Sequence, residues 1–332
     1  MDDNAARTLM LAIAGQEPLA EDGGRIAFFN AMPLPGAEPS LMAALSCEQG
    51  FKPLHLALAR AGYDSVPQLR EDAHEAALIL ATRSRKMNEI LLHRAWDSVK
   101  EGGAILVSGS KTDGIHALRK HAGECVSIDE SISKHHAIAF VLTKAGGNPF
   151  PLADAATNGG TVARPGMFSA DGPDSGSRLL AGAFGKWIRG KVGDFGAGWG
   201  YLGMELLKSE ADPQLLICHE ADYASLQAAR ANLHALAPGV AKEFHWSDLT
   251  SENPGTGYDW IIMNPPFHAG RAQEPSIGIA FIATAAKALK PGGRLLMVAN
   301  RKLPYEKPLA HHFRRVQTLT EADGFKVIEA MR

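Results

Sequence analysis

Asn264-Pro265-Pro266-Phe267 follows an apolar run, Trp260-Ile261-Ile262-Met263. Two prolines cannot continue a central strand, because the ring removes the amide donor and fixes φ. The strand must therefore stop at Asn264, where it presents a carboxamide, a rigid backbone and an aromatic face. Those groups suit a flat molecule bearing an amine.

A second constellation precedes it. Val192-Gly193-Asp194-Phe195-Gly196-Ala197-Gly198-Trp199-Gly200 places Asp194 and three alternate glycines directly after an apolar strand. Glycines at 196, 198 and 200 let the backbone turn sharply and approach a ligand closely, with amides free to donate. Asp194 can accept from an ammonium group, and its charge repels a pyrophosphate, so the spacing departs from the dinucleotide fingerprint. Glu220 ends the next apolar strand, 20 residues beyond Gly200, where open α/β sheets place an acid for ribose hydroxyls. The alternative is a solvated acid at a strand end. Asp248, in Phe244-His245-Trp246-Ser247-Asp248-Leu249, either accepts from an adenine amino group or caps a turn.

These pieces need strands that end together, and the second half supplies the alternation. Strands are expected over Lys191–Phe195, Gln214–His219, Glu243–Trp246, Asp259–Met263 and Arg294–Ala299. Helices are expected over Tyr201–Ser209, Tyr223–Leu236 (with Asp222 as N-cap) and Ile277–Leu289, the last ended by Pro291-Gly292-Gly293. Such alternation implies a mostly parallel sheet with helices on both faces, an α/β fold. The Gly-, Pro- and Ala-rich stretch Ala145–Asp174 reads as a linker, separating a domain over 1–150 from one over 151–332.

The first half carries a partial echo of the second. Ala95–Ser110, AWDSVKEGGAILVSGS, resembles Ala285–Asn300, AAKALKPGGRLLMVAN, with Gly102 matching Gly292 at an offset of 292 − 102 = 190. Ala76–Lys86 fills the slot of the strand before Asn264 but lacks Asn-Pro-Pro-Phe, and no glycine loop precedes it. Two similar domains follow, the first a degenerate copy unable to do the second's chemistry.

Bulk properties exclude several classes. The 332 residues are 45% hydrophobic and 21% charged, with a formal net charge of −2, which argues against a globally basic nucleic-acid binder. Cys47, Cys125 and Cys218 lie far apart, so neither a disulfide framework nor a zinc site is expected. His135-His136 and His311-His312 lack matching carboxylate or cysteine partners, and no metal is expected there. No apolar run is long enough to span a membrane, the first residues are acidic where a leader would be basic, and a cytoplasmic location is expected.

An acid before a glycine turn, an acid placed for ribose and an Asn-Pro-Pro-Phe suited to an amine describe a site for a cationic nucleoside with an amino-acid tail, S-adenosyl-L-methionine. The chain resembles the class I methyltransferases. Asn264-Pro265-Pro266-Phe267 followed by His268-x-Gly270, with Pro165–Phe184 before the glycine loop, is more particular. Both resemble the ribosomal RNA small subunit methyltransferase C family, guanine-N2 methyltransferases with a catalytic C-terminal domain and a degenerate N-terminal copy. The likeness is strong over Arg164–Asn300, weaker over Ala76–Lys144 and absent before about residue 20.

The resemblance implies two tandem Rossmann-like domains. It also implies that the Asn264 side chain and Pro265 carbonyl accept from the target amine while Phe267 stacks on the base. Phe168, Ser169 and Asp174 to Ser177 match an entry segment across the cofactor, or serve as N-cap and packing residues. The expected partner is ribosomal RNA or the small subunit, with oligomeric state open. Arg83, Arg85, Lys86, Arg94, Lys111, Arg119 and Lys120 are candidate phosphate contacts or a solvated helix face. Adenine N6, a large-subunit guanine or a protein glutamine amide are alternative acceptors, and an inactive RNA-binding assembly factor is the alternative class.

Overall fold

The structure, a computed structural model, describes residues 3–332 except 17, 22, 71–72, 152–156, 159–160, 163–171, 267, 270–271 and 274. Two compact units divide between Asp154 and Ala155.

The first unit comprises α1 (Asn4–Gly15), β1 (Ile26–Phe29), α2 (Pro39–Ala44), β2 (Leu45–Glu48), α3 (Lys52–Arg60), β3 (Ser65–Val66), β4 (Ala76–Leu80), α4 (Arg85–Ser98), β5 (Ala104–Ser110), α5 (Ile115–Cys125), β6 (Glu130–Lys134) and β7 (Ala137–Thr143). Among the described residues the strands form a sheet in the order β3-β2-β1-β4-β5-β7-β6. It is parallel through β5, with β7 antiparallel and β6 hairpinned onto it. Every residue of β4 is buried, as a central parallel strand covered on both faces requires.

The second unit comprises β8 (Thr157–Asn158), β9 (Thr161–Val162), α6 (Ser175–Ala181), β10 (Arg189–Phe195), α7 (Tyr201–Lys208), β11 (Asp212–Glu220), α8 (Tyr223–His234), β12 (Ala241–Trp246), β13 (Tyr258–Met263), β14 (His268–Ala269), β15 (Ala272–Gln273), α9 (Pro275–Ala288), β16 (Leu289–Asn300), α10 (Glu306–His312), β17 (Arg315–Ala322) and β18 (Phe325–Met331). Its main sheet runs β12-β11-β10-β13-β16-β18-β17, the same order strand for strand. The α/β class and the alternation from Lys191 to Ala299 are as expected.

The duplication extends to single residues. One row of the first sheet reads Ser65, Cys47, Phe28, Leu78, Leu106, Val141. The matching row of the second reads Phe244, Cys218, Asp194, Ile262, Leu296, Glu329. Phe28 thus stands where Asp194 does, and two residues further along the next strand Leu80 stands where Asn264 does.

The Gly-Gly echo has a physical cause. Gly102 and Gly292 have φ of 79° and 78°. Their amides reach the Lys144 and Arg332 carbonyls at 3.0 and 3.1 Å. A Cβ on Gly293 would lie 2.9 Å from the Tyr258 and Lys290 carbonyl oxygens, and one on Gly103 would press into the Glu75 carbonyl. Pro291-Gly292-Gly293 therefore does not precede the strand, as the sequence suggests. It is an irregularity within β16, where the register shifts between Tyr258 and Trp260.

The closing hairpins are missing from the sequence reading. Asp323 and Gly324, between β17 and β18, have φ of 50° and 80°, the left-handed pair a two-residue hairpin needs. Between β6 and β7 the same turn is made by His135 and His136, at 49° and 55°, which gives that pair a structural place. Within the expected linker, Val162 is held by Asn232 of α8, which accepts from its amide at 2.7 Å and donates to its carbonyl at 2.9 Å. That part belongs to the second unit. No described helix is long and apolar enough to cross a membrane.

Gly293→Ala and Gly103→Ala should each destabilise their own unit by roughly 2–4 kcal/mol through backbone overpacking. Urea unfolding followed by fluorescence, with four of the five tryptophans after residue 180, should register the first substitution strongly and the second weakly.

Candidate active site

The chain enters the second sheet at β10, builds outward to β12, then returns to β13 on the other side of β10. The order reverses between β10 and β13, and ligands of open α/β sheets bind at such a switch point beyond the carboxyl ends of the strands. Asp194 lies near the end of β10 and pairs with Ile262. Two residues beyond Ile262 is Asn264. The sheet itself brings the two sequence constellations side by side.

Asp194 is fully buried, and neither carboxylate oxygen has a hydrogen-bond partner among the described residues. Its pKa is pushed up to about 7, first by burial and then by the charge of Glu220. The Gly203 amide in the first turn of α7 pulls the other way, from an approach too loose to make a hydrogen bond. An unpaired buried carboxylate is costly, and a second acid nearby adds to the demand for a cation. This donor set fits the ammonium of S-adenosyl-L-methionine and disfavours phosphate.

The glycine loop has the shape the sequence implies but not the free amides. Gly196, Gly198 and Gly200 have φ of 82°, 54° and 93°. The Gly196 and Ala197 amides both donate to the His219 carbonyl, at 2.9 and 3.0 Å, and the Gly200 amide donates to Ala197 at 2.9 Å. The Gly198 amide donates to Glu220 Oε2 at 2.7 Å. The loop therefore offers a ligand room rather than donors: a Cβ at Gly198 would meet nothing within 4 Å. Gly200 has a different reason, since a Cβ there would lie 3.1 Å from the Ala229 backbone, where α7 and α8 cross.

Glu220 is partly buried and holds the loop together. Its Oε1 accepts from the Asp222 amide at 2.8 Å while Oε2 takes Gly198. Burial raises its pKa, and those two amides oppose the rise. Each oxygen keeps a second lone pair, enough for ribose hydroxyls. Asp248 differs from the adenine-binding expectation. Its Oδ1 accepts from the Thr250 amide and hydroxyl at 2.9 and 2.6 Å, and its Oδ2 from the Ser251 hydroxyl at 2.6 Å. It caps its own turn, the other reading the sequence allowed.

Sequence reasoning missed His219. This buried ring has Nε2 3.0 Å from the Tyr258 hydroxyl and Nδ1 3.0 Å from Ser247 Oγ. The Tyr258 hydroxyl donates to the Pro254 carbonyl at 2.9 Å, so it accepts from His219, which fixes the neutral Nε2–H tautomer. Burial lowers the His219 pKa to about 3. A neutral ring locked on two sides steadies the carbonyl that anchors the glycine loop.

Asn264 is partly buried, Pro265 buried and Pro266 exposed; Phe267, like Phe168 and Ser169, lies outside the described residues. The Asn264 Nδ2 donates to Ser177 Oγ at 2.9 Å and faces Asp174 Oδ2 and Oδ1 at 3.3 and 3.4 Å. An ionised carboxylate only accepts, so the NH2 edge must face it and the Oδ1 edge turns away as an acceptor. Asp174 is the N-cap of α6, one residue before the helix, as one of the two sequence readings allowed.

The candidate phosphate contacts separate in the structure. Arg94 is removed from the set: both its terminal nitrogens grip Glu48, at 2.5 and 2.6 Å, in a largely buried pair. Arg83 pairs with Asp113 and Arg85 with Glu89, but their side chains stay 61% and 77% exposed, where such pairs are weak. Arg119 donates to Ser131, and Lys120 lies 3.9 Å from Glu124.

The family profile described as Methyltransferase small domain matches residues 159–329. A ribosomal RNA small subunit methyltransferase C of Shewanella halifaxensis is 30% identical over 269 residues, covering 77% of each chain. The chain belongs to the ribosomal RNA small subunit methyltransferase C family. A Sodalis glossinidius member of that family is 38% identical over 167 residues, 50% of this chain and 47% of its own. The fold matches that of a T. thermophilus 16S rRNA N2 methyltransferase, solved with AdoMet and guanosine, at a TM-score of 0.78 and 24% identity over 93% of this chain and 88% of that one. The small subunit methyltransferase C family thus accounts for both units.

Asp194 gives a pH signature. Unfolded, an aspartate titrates near 4; here the folded group titrates near 7. Between those values the native state holds the extra proton, so this group's contribution to stability falls as pH rises. His219, whose folded pKa is lowered, has the opposite sign below its unfolded value. Comparison with Asp194→Asn isolates the carboxylate. The stability of the variant relative to the ligand-free wild type should increase by roughly 2–3 kcal/mol from pH 5 to pH 8, measured by urea unfolding.

Proposed function

We propose that the chain transfers a methyl group from S-adenosyl-L-methionine to the exocyclic N2 of a guanine in small-subunit ribosomal RNA, with the second unit as catalyst. The observation that carries this reading is the adjacency of an unpaired buried carboxylate and an oriented carboxamide across one switch point. Asp194 holds the cofactor's ammonium, Glu220 its ribose hydroxyls, and Gly196 and Gly198 shape the loop beside its amino-acid end, while Gly200 lets α7 pack on α8. Asp248 stiffens the neighbouring turn.

When bound, the cofactor supplies a methyl group already activated on a sulfonium, so the residues around it position rather than activate. Asn264 Oδ1 and the Pro265 carbonyl accept from the N2 amine and direct its lone pair. Pro266 stiffens the backbone that holds both oxygens, and Phe267 stacks on the base. The surplus proton on nitrogen passes to water after transfer, so no strong base is needed. The guanine must leave its stack to reach the site.

The first unit holds RNA or braces the fold and binds no cofactor. Phe28 fills the position of Asp194, and Leu80 that of Asn264. Asn30 keeps the left-handed turn of Gly196, with φ of 51°, and its Nδ2 donates to the Leu80 carbonyl at 2.7 Å. Exposed Arg83 and Arg85 supply phosphate contacts that position without reading sequence. The enzyme works in the cytoplasm, where its RNA is assembled.

Pure protein incubated with methyl-labelled cofactor and small-subunit RNA from cells lacking the enzyme should yield N2-methylguanosine on nucleoside analysis. Asn264→Ala should abolish that product, a loss of about 100-fold or more, while cofactor affinity stays within about threefold of wild type. Label in N6-methyladenosine, in large-subunit RNA or in protein would move the acceptor, and unchanged turnover in Asn264→Ala would overturn the assigned mechanism.

A further inference from the structure

We infer that Asp174 and Ser177 are positioning residues that fix which edge of the Asn264 carboxamide meets the target amine; the inference rests on the role of Asn264 proposed above. The two edges of a carboxamide are nearly the same size, and a half-turn about χ2 exchanges an acceptor for a donor. A donor facing an amine would repel it and turn the nitrogen lone pair away. Asn264 can serve only if one orientation is enforced.

The structure contains such a device. Ser177 is buried. Its hydroxyl donates to Asp174 Oδ2 at 2.6 Å, so its oxygen is left to accept from Asn264 Nδ2 at 2.9 Å. Asp174 in turn is fixed by the Ser177 amide, which donates to Oδ1 at 3.1 Å as the cap of α6. The relay therefore runs from helix backbone to carboxylate to hydroxyl to carboxamide, each link with a single sense of donation. Flipping Asn264 would set its Oδ1 against the Asp174 carboxylate, a contact between two acceptors.

Gly176 is part of the same device. A Cβ there would lie 3.0 Å from Asp174 Oδ1 and 2.9 Å from the Phe325 ring. Only glycine lets the capping turn sit this close to β18 with the carboxylate still aimed at Asn264. Asp174-Ser175-Gly176-Ser177 is thereby more than a helix start, because its cap acceptor is also the reference point for a side chain 90 residues away.

Two measurements on the full chain test this. Selective labelling of asparagine side chains, with the Asn264 signal assigned by its loss in Asn264→Ala, reads the anchor directly. Its NH2 protons should exchange slowly with water in the wild type and about 10-fold or more faster in Ser177→Ala. In transfer assays Ser177→Ala and Asp174→Asn should lower kcat roughly 10- to 100-fold, with KM for RNA, cofactor affinity and melting temperature little changed; a merely structural role would move the last two instead. Rapid exchange in the wild type, or full kcat in both variants, would overturn the inference. A protected Asn264 in a wild type that methylates no guanine would uphold the anchor and overturn only the proposed acceptor.

Discussion

Asp194 is a carboxylate at the centre of a sheet, out of water and with no hydrogen-bond donor on either oxygen. Such a group destabilises the fold that contains it unless it is neutralised or paired. Much of the second unit can be understood from that constraint. The glycine loop bends away at once, with positive φ at Gly196, Gly198 and Gly200. Glu220 closes the loop while adding negative charge, and α7 turns its Gly203 amide toward the acid. We propose that the site is organised around a cation that the chain itself does not supply.

The topology explains why Asn264 lies beside Asp194. Reversal of strand order between β10 and β13 puts two strand ends next to each other with no crossover between them. The prolines then stop β13 at the same level, so the carboxamide emerges beside the acid. In the first unit the same topology ends in Phe28 and Leu80. The scaffold persists there because its glycines, hairpins and buried strands are needed for folding, whereas the acid and the amide are needed only for chemistry. An apolar side chain in place of a buried, unpaired charge is stabilising.

What the sequence made legible was mostly local. Proline after an apolar run, glycines after a strand and an acid at the next strand end are contiguous signals, and their placement followed from strand alternation. The errors arose where a group's partners are chosen in three dimensions. The loop amides were expected to be free, but the His219 carbonyl on the adjacent strand takes two of them. Arg94 resembled an RNA contact because Glu48, 46 residues away, cannot be matched to it by spacing. Two further features were readable, the first stated as an alternative and the second overlooked. Asp248-Leu249-Thr250-Ser251 has the pattern of a self-capping turn, and Asp323-Gly324 between alternating residues marks a hairpin. His135-His136 carries no such signal, because two-residue hairpins are ordinarily marked by Asn-Gly, Asp-Gly or Gly-Gly.

The central claim is that one of two equivalent folds retains a cation-demanding nucleoside site and that Asp194 creates it. Calorimetric titration of the full chain with S-adenosyl-L-methionine tests this most directly. The account predicts one molecule bound per chain and affinity at least roughly 10-fold weaker in Asp194→Asn, the order expected when a buried charge pair loses a partner. Two molecules per chain, or equal affinity in the variant, would contradict it.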